Sequence, residues 1–430
     1  MKTTSNPTYD IAIVGGGIAG LAAAAYLARG GRSVILFEKS DHIGGRAISQ
    51  DHHGYRFNLG AHAVYEKTVG AEVLNELGIK YTAGEPRDVR AVREGKIYDL
   101  PAGPLSLLGT GLLGPGEKLE AGRSLFGLLN AKPTQLQGST LSHWLDRHIR
   151  HPRVRALIES TARTVTYTNA PDMIDMGLVA EQIQVTTRGR IFYVDGGWQT
   201  LVDGLLAAAL KAGATIERGV RVRAVEHDGN HVTSVRLDDA STVTARSVII
   251  AAGPTDASRL VDDGRNNALA GWAAQAVPVR AAALDVALRS LPNPHATVAL
   301  DMDAPRFMTA QSVYSKVAPE GGALIYTLKY LHPCDHKDTE ANERELESWL
   351  DVTQPGWRDE VVERRFLPSM TISHWLVTAQ GGGLAGRPGP EVPGISGLYV
   401  AGDWVGPRGL LFSASLWSAR MASHDILHAR

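Results

Sequence analysis

Cysteine is almost missing: Cys334 is the one thiol in 430 residues. An intramolecular disulfide is excluded, no thiolate cluster is on offer to a metal, and a reducing, cytoplasmic setting fits best. The 15 histidines are scattered, and His52 and His53 lack the i, i+4 spacing that puts two imidazoles on one helix face, so no metal site is expected. Neither sign of charge dominates, with 44 Lys and Arg against 45 Asp and Glu. No basic block or aromatic-spaced basic stripe occurs, and a nucleic-acid partner is not expected. Long uncharged runs are scarce too. One covers residues 11–28, but three glycines near its start, Asp10 before it and no basic leader argue against a membrane span or signal peptide. The length exceeds one ordinary core, and two interleaved domains are the expected solution.

Glycine is what the chain has in quantity, and its placement at the start carries the reading. Ile11, Ile13 and Val14 lead into Gly15-Gly16-Gly17, and an Ala/Leu-rich segment follows from Leu21 to Ala28. That is strand, tight turn, helix. A second apolar run, Val34 to Phe37, ends at Glu38, 18 residues beyond Gly20, so the stretch closes a βαβ unit. Gly15 permits the turn, Gly17 lets the backbone approach a pyrophosphate, and Gly20 lets the helix lie close on the strand. The pyrophosphate is expected over the helix start at Ile18 and Ala19, where unpaired N–H groups and the dipole favour negative charge. Glu38, with Lys39 beside it, is placed for a ribose diol and would repel a 2′-phosphate, which selects FAD or NAD over NADP.

Gly44-Gly45-Arg46 follows within eight residues, and here the stretch resembles the flavin-containing amine oxidase and phytoene desaturase superfamily. The resemblance returns in Gly397-Leu-Tyr-Val-Ala-Gly402-Asp403. It implies FAD, held non-covalently because Cys334 lies outside any attachment motif. Gly45, Arg46 and Ala47 would follow the pyrophosphate, Val222 and Ala252 would pack near adenine, and Gly402 and Asp403 would meet the ribityl chain. Leu411 and Ala414 would begin the last helix beneath the flavin, and Gly60, Ala61 and His62 would pass its reactive face. His62 is thus a candidate catalytic residue, since imidazole can donate, accept or titrate near neutrality; a structural histidine bonded to backbone is the competing reading. The implied fold is α/β, a Rossmann-type, glutathione-reductase-like FAD-binding domain (8–77, 191–254 and 386–430) interleaved with an α+β substrate domain (78–190 and 255–385).

Along the rest of the chain, residues 1–9 are polar and read as disordered. Residues 51–54 read as a turn, 56–62 as a strand, and 66–77 as a helix. The uncharged segment 101–116 holds eight Gly or Pro and cannot be a spanning helix. It reads as a buried loop on the substrate domain; an apolar lip or a shallow membrane contact, as in relatives with lipid substrates, are the alternatives. Helices are expected over 117–129, 141–164, 201–212 and 338–350. Strands are expected at 279–288, 297–300 and 323–331, with a hairpin at 220–226 and 232–237 and a returning strand at 243–252.

Amine oxidases of the resembled superfamily place two aromatic walls before the flavin, one directly after a Gly of the final motif. That Gly is Gly409 here, and Leu410 follows it. The other wall is assigned to Trp375, the second catalytic candidate. The lysine such enzymes commonly carry is missing from 279–288, where Arg280 and Asp285 stand instead. These departures favour the desaturase-like branch, in which hydride leaves a C–H of a largely apolar substrate for flavin in a water-excluding pocket. Leu410, Leu411 and Phe412 suit that pocket, while Trp404 and Arg408 lie in the loop before the last helix. An amine or imine oxidase and a flavin-binding protein without turnover are the alternatives. No second nucleotide motif appears, so O2 or a quinone is the expected electron acceptor.

Overall fold

The computed structural model describes residues 8–101, 103–335 and 338–429. Most of the 1–9 segment expected to be disordered lies outside the described residues; Thr8 and Tyr9 are already in the first strand, paired with Thr244 and Ala245. That strand, β1 (Thr8–Val14), runs parallel to β2 (Val34–Glu38), with Ile11 opposite Val34 and Val14 opposite Phe37. Helix α1 (Ile18–Arg29) connects them and is buried nearly all round, which its six alanines permit. It packs between Gln199–Lys211 and the last helix.

On the other side of β1 lies β3 (Thr242–Ile250), also parallel. Its length lets it serve two partners. Its first residues pair antiparallel with the hairpin strand Val232–Leu237, and its last three pair parallel with Leu398–Val400. The parallel strands therefore end together at one edge, the place where open α/β sheets bind ligands. The expected hairpin is present as Val222–His227 against Val232–Leu237.

A second seven-stranded sheet runs in the order 361–373, 279–288, 323–331, 306–310, 298–301, 89–93, 96–99. Side-chain alternation assigns its faces. Leu284 and Val286 pack beneath the helix Thr339–Thr353 through Leu346, Trp349 and Leu350. Ala281, Ala283, Leu328 and Tyr330 face the opposite way, with Ala61, Tyr167 and Met370 packed on them.

Four expectations are corrected. The strand read over 56–62 stops at Asn58, because Gly60 takes φ +79°. The helical run 141–164 is two helices, Leu141–His148 and Pro152–Thr166, since Pro152 forces His151 out of the helical region to ψ 123°. A helix not foreseen, Met176–Arg188, follows them, capped by Asp175 through the Leu178 N–H. The described part of 101–116 is no buried loop. Residues Pro104–Gly109 and Pro115–Asn130 form a helical pair, each opening with Pro at its first turn. Leu105, Leu108, Leu119 and Phe126 on this pair are 66–86% exposed. No described helix is long and apolar enough to cross a membrane.

Candidate functional site

The ends of β1, β2 and β3 open into a cavity of about 1160 Å³. That exceeds the ~300–1,000 Å³ usual for a small-ligand pocket and leaves room for a dinucleotide with a substrate beside it. At the turn, Gly15 has φ +112°, and a Cβ on Gly20 would lie 2.0 Å from the Gly15 carbonyl oxygen. The helix start therefore sits directly on the turn. A Cβ on Gly17 would meet nothing within 4 Å, and no side chain caps α1. Unpaired first-turn N–H groups beside open space form an anion cradle.

At the end of β2 the Glu38 carboxylate accepts from the Gly16 N–H at 2.7 Å and the Ser40 N–H at 2.9 Å. Each oxygen retains a lone pair for a ribose hydroxyl. Further along, Arg46 donates to Asp403 at 3.0 Å and to the Ile372 carbonyl at 2.9 Å. Asp403 also accepts from the His374 backbone N–H at 3.0 Å, and the His374 Nδ1 lies 2.9 Å from its other oxygen. Nδ1 is also 3.2 Å from Arg46. Arginine has only donors, so the Nδ1 proton goes to the carboxylate and the arginine contact is not a second hydrogen bond. Burial alone would raise the Asp403 carboxyl, but the Arg46 charge and the His374 bond outweigh it and hold it well below the usual range.

Behind this group Arg387 donates to the Asp403 carbonyl at 3.0 Å and the Gly409 carbonyl at 2.8 Å, pinning the loop before the last helix (Phe412–His428). Burial pushes its guanidinium down to about 10. Trp404 is buried and donates to the Ala252 carbonyl at 2.9 Å. That bond fixes the backbone at Ala252, which lines the cavity.

The far end of the cavity is lined by side chains from both sheets and the helical segments. The His62 ring lies 4.7 Å from Trp198, which meets Phe412 edge-on at 5.2 Å. The His62 Nδ1 is 2.9 Å from the Gly60 carbonyl, so it carries the hydrogen and Nε2 keeps the lone pair. Burial pushes the His62 pKa down, partly opposed by the Gly60 and Arg46 carbonyls, and the ring is neutral at pH 7. Leu328, Met370 and Leu410 give this end apolar walls. The Tyr65 and Tyr167 hydroxyls are 3.1 Å apart, and burial raises both phenols. They hydrogen-bond and do not serve as bases. Glu181 and Gln182, from the helix Met176–Arg188, also line the cavity. Burial pushes the Glu181 carboxyl up, opposed by Arg387 and Arg408.

Of the residues expected at the nucleotide, Gly20, Gly60 and Ala414 do not line the cavity, and the others do. Gly20 serves helix packing. A Cβ on Gly60 would strike Met370 at 2.6 Å, so that glycine makes space for a wall residue. Ala414 is fully buried inside the last helix, whose Ser413 and Ser415 reach the cavity instead. Trp375 is no wall. It is buried in the core cluster that contains Val377 and Trp404, and its neighbour His374 is the residue that reaches the site. Arg408 is exposed on the cavity rim. The sequence reading missed Tyr65, Tyr167, Glu181, Gln182, His374 and Arg387. For Glu181 and Gln182 a signal existed: Asp175 before Met176, Val179 and Ile183 is an N-cap followed by helical spacing.

The open helix start at Gly17, the strand-end acid Glu38 and the Arg46–Asp403 pair line one cavity, the arrangement expected of a flavin-dependent oxidoreductase. The chain belongs to the flavin containing amine oxidoreductase family, which it matches over residues 18–427. A 4,4'-diaponeurosporene oxygenase of Staphylococcus haemolyticus is 24% identical over 279 residues, 56% of this chain and 54% of that protein. The chain thus spans about half the length of the curated relatives it matches. An oxidoreductase from Methanosarcina mazei superposes with TM-score 0.80 at 20% identity, over 96% of this chain and 99% of that one. Cyclohexylamine oxidase from Brevibacterium oxydans gives 0.71 at 20% identity, over 98% and 99%. At these identities the likeness concerns the fold.

Proposed function

We propose that the chain binds FAD non-covalently and removes hydride from a C–H of a largely apolar organic substrate, introducing a double bond. The observation that carries this reading is the set of apolar side chains on the cavity wall, Leu328, Met370, Leu410 and Phe412; the lysines on its lining, Lys39 and Lys67, follow β2 and precede the helix Val69–Glu76. When bound, the flavin supplies the hydride acceptor. The chain's own residues place it and exclude water. Gly17 and the start of α1 hold the pyrophosphate, Glu38 the ribose, and Asp403 the ribityl chain. His62 Nε2 is the atom available to take the proton lost from the neighbouring carbon, and the two tyrosine hydroxyls stay protonated. Relatives named for diaponeurosporene support an apolar substrate.

The segments 8–77, 191–254 and 386–430 serve as the cofactor domain in this account, with 78–190 and 255–385 around the substrate. O2 or a quinone takes the electrons, in a cytoplasmic setting suited to a protein with one exposed thiol. The exposed Leu105, Leu108, Leu119 and Phe126, flanked by Lys118 and Arg123, support a shallow contact with an anionic membrane surface. Amine oxidation is the second reading, favoured by the fold likeness to cyclohexylamine oxidase. Mass analysis after incubation with polyenes and with amines separates the two. A polyene product that has lost a pair of hydrogens supports desaturation, and an imine-derived carbonyl product overturns it.

A further inference from the structure

Two polar side chains line the cavity without a hydrogen-bond partner among the described residues. Gln182 is 8% exposed, and its side-chain amide has no hydrogen-bond partner among the described residues. The Glu181 carboxylate, adjacent on the same helix, has neither hydrogen bond nor ion pair among the described residues. The cations nearest in effect are Arg387 and Arg408. Arg387 is committed to the Asp403 and Gly409 carbonyls, and Arg408 is exposed on the rim without a hydrogen-bond or ion-pair partner among the described residues. Neither side chain has a polar atom sealed inside the protein, so the partner each lacks can come from what the cavity holds. Here their open side is the cavity, which Gly409 and Leu410 of the loop pinned by Arg387 also line.

We propose that Glu181 and Gln182 form a polar recognition point for the substrate, accepting from one N–H or O–H donor carried on an otherwise apolar body. This rests on the cavity being the flavin and substrate site and names the head group that site selects. A hydroxyl satisfies both residues, donating to Glu181 and accepting from the Gln182 amide. An amine donates to Glu181 and to the Gln182 carbonyl oxygen. A pure hydrocarbon leaves both unbonded.

Calorimetry on the FAD-loaded protein tests this with three probes on one alkyl chain: decanol, decylamine and decyl methyl ether. Decanol or decylamine should bind at least about tenfold more tightly than the ether, the cost of leaving buried groups unpaired. Glu181→Leu should abolish that preference, and Glu181→Gln should restore part of it. The alcohol and amine arms identify which donor is preferred. Equal binding of all three probes, no binding of any, or a preference unchanged in Glu181→Leu overturns the proposal. FAD uptake, read from the visible absorbance of each variant, separates the failures: protein that takes up no FAD contradicts the cofactor reading, whereas loaded protein without discrimination contradicts only this inference.

Discussion

Arg46 and Asp403 stand 357 positions apart in the chain and meet at 3.0 Å, the carboxylate almost fully buried and the guanidinium 43% exposed. This pair joins the first and last motifs and fixes the site's middle. Breaking a buried pair costs about 3–5 kcal/mol, and with Arg46 nearly half in water roughly half of that remains. Asp403→Asn should therefore lower stability by about 2 kcal/mol in urea titrations and weaken FAD binding. The carboxyl's folded pKa lies below its unfolded value of 3.8. Its contribution is complete above that value and is lost as pH falls through it, so the deficit of the variant should shrink only below about pH 4.

The glycines of the turn make a paired prediction. Gly17→Ala meets open space and should leave the apo protein's melting temperature unchanged, while lowering FAD affinity at least about tenfold by crowding the cradle. Gly20→Ala drives a methyl into the Gly15 carbonyl and should destabilise the apo protein by about 1–3 kcal/mol. Equal melting temperatures for the two would contradict the assignment.

His62 gives a pH signature. Its folded pKa is below the ordinary 6.5, so the folded state binds fewer protons and stability falls as pH drops below 6.5. His62→Asn should flatten the stability curve in that window while leaving it unchanged above pH 7. It should also slow turnover with saturating substrate.

Vesicle sedimentation addresses the exposed helical pair. Phe126→Asp should reduce association with anionic vesicles, and because the side chain is 71% exposed the melting temperature should not move. Binding unchanged by the substitution would remove the membrane assignment.

The nucleotide half was legible because its constraints are local: Gly15, Gly17, Gly20 and Glu38 sit at fixed offsets on one βαβ unit. Asp403 was legible through its motif, but its partner His374 was not, since that contact depends on where β-strand 361–373 ends. Trp375 is the aromatic residue the resemblance points to, but its neighbour His374 is the one that lines the cavity. The uncharged, Gly- and Pro-rich segment 101–116 reads as a buried loop, yet Leu105 and Leu108 are exposed, because burial depends on what the rest of the chain leaves to cover them. The substrate wall was least legible because Tyr65, Tyr167, Glu181 and Met370 come from separate segments with no shared spacing.

The central claim is tested most directly by anaerobic stopped-flow mixing of the FAD-loaded protein with polyenes, cyclic ketones and amines, following the flavin's visible absorbance. Bleaching by the apolar C–H donors is the predicted result, and bleaching by amines alone would contradict it.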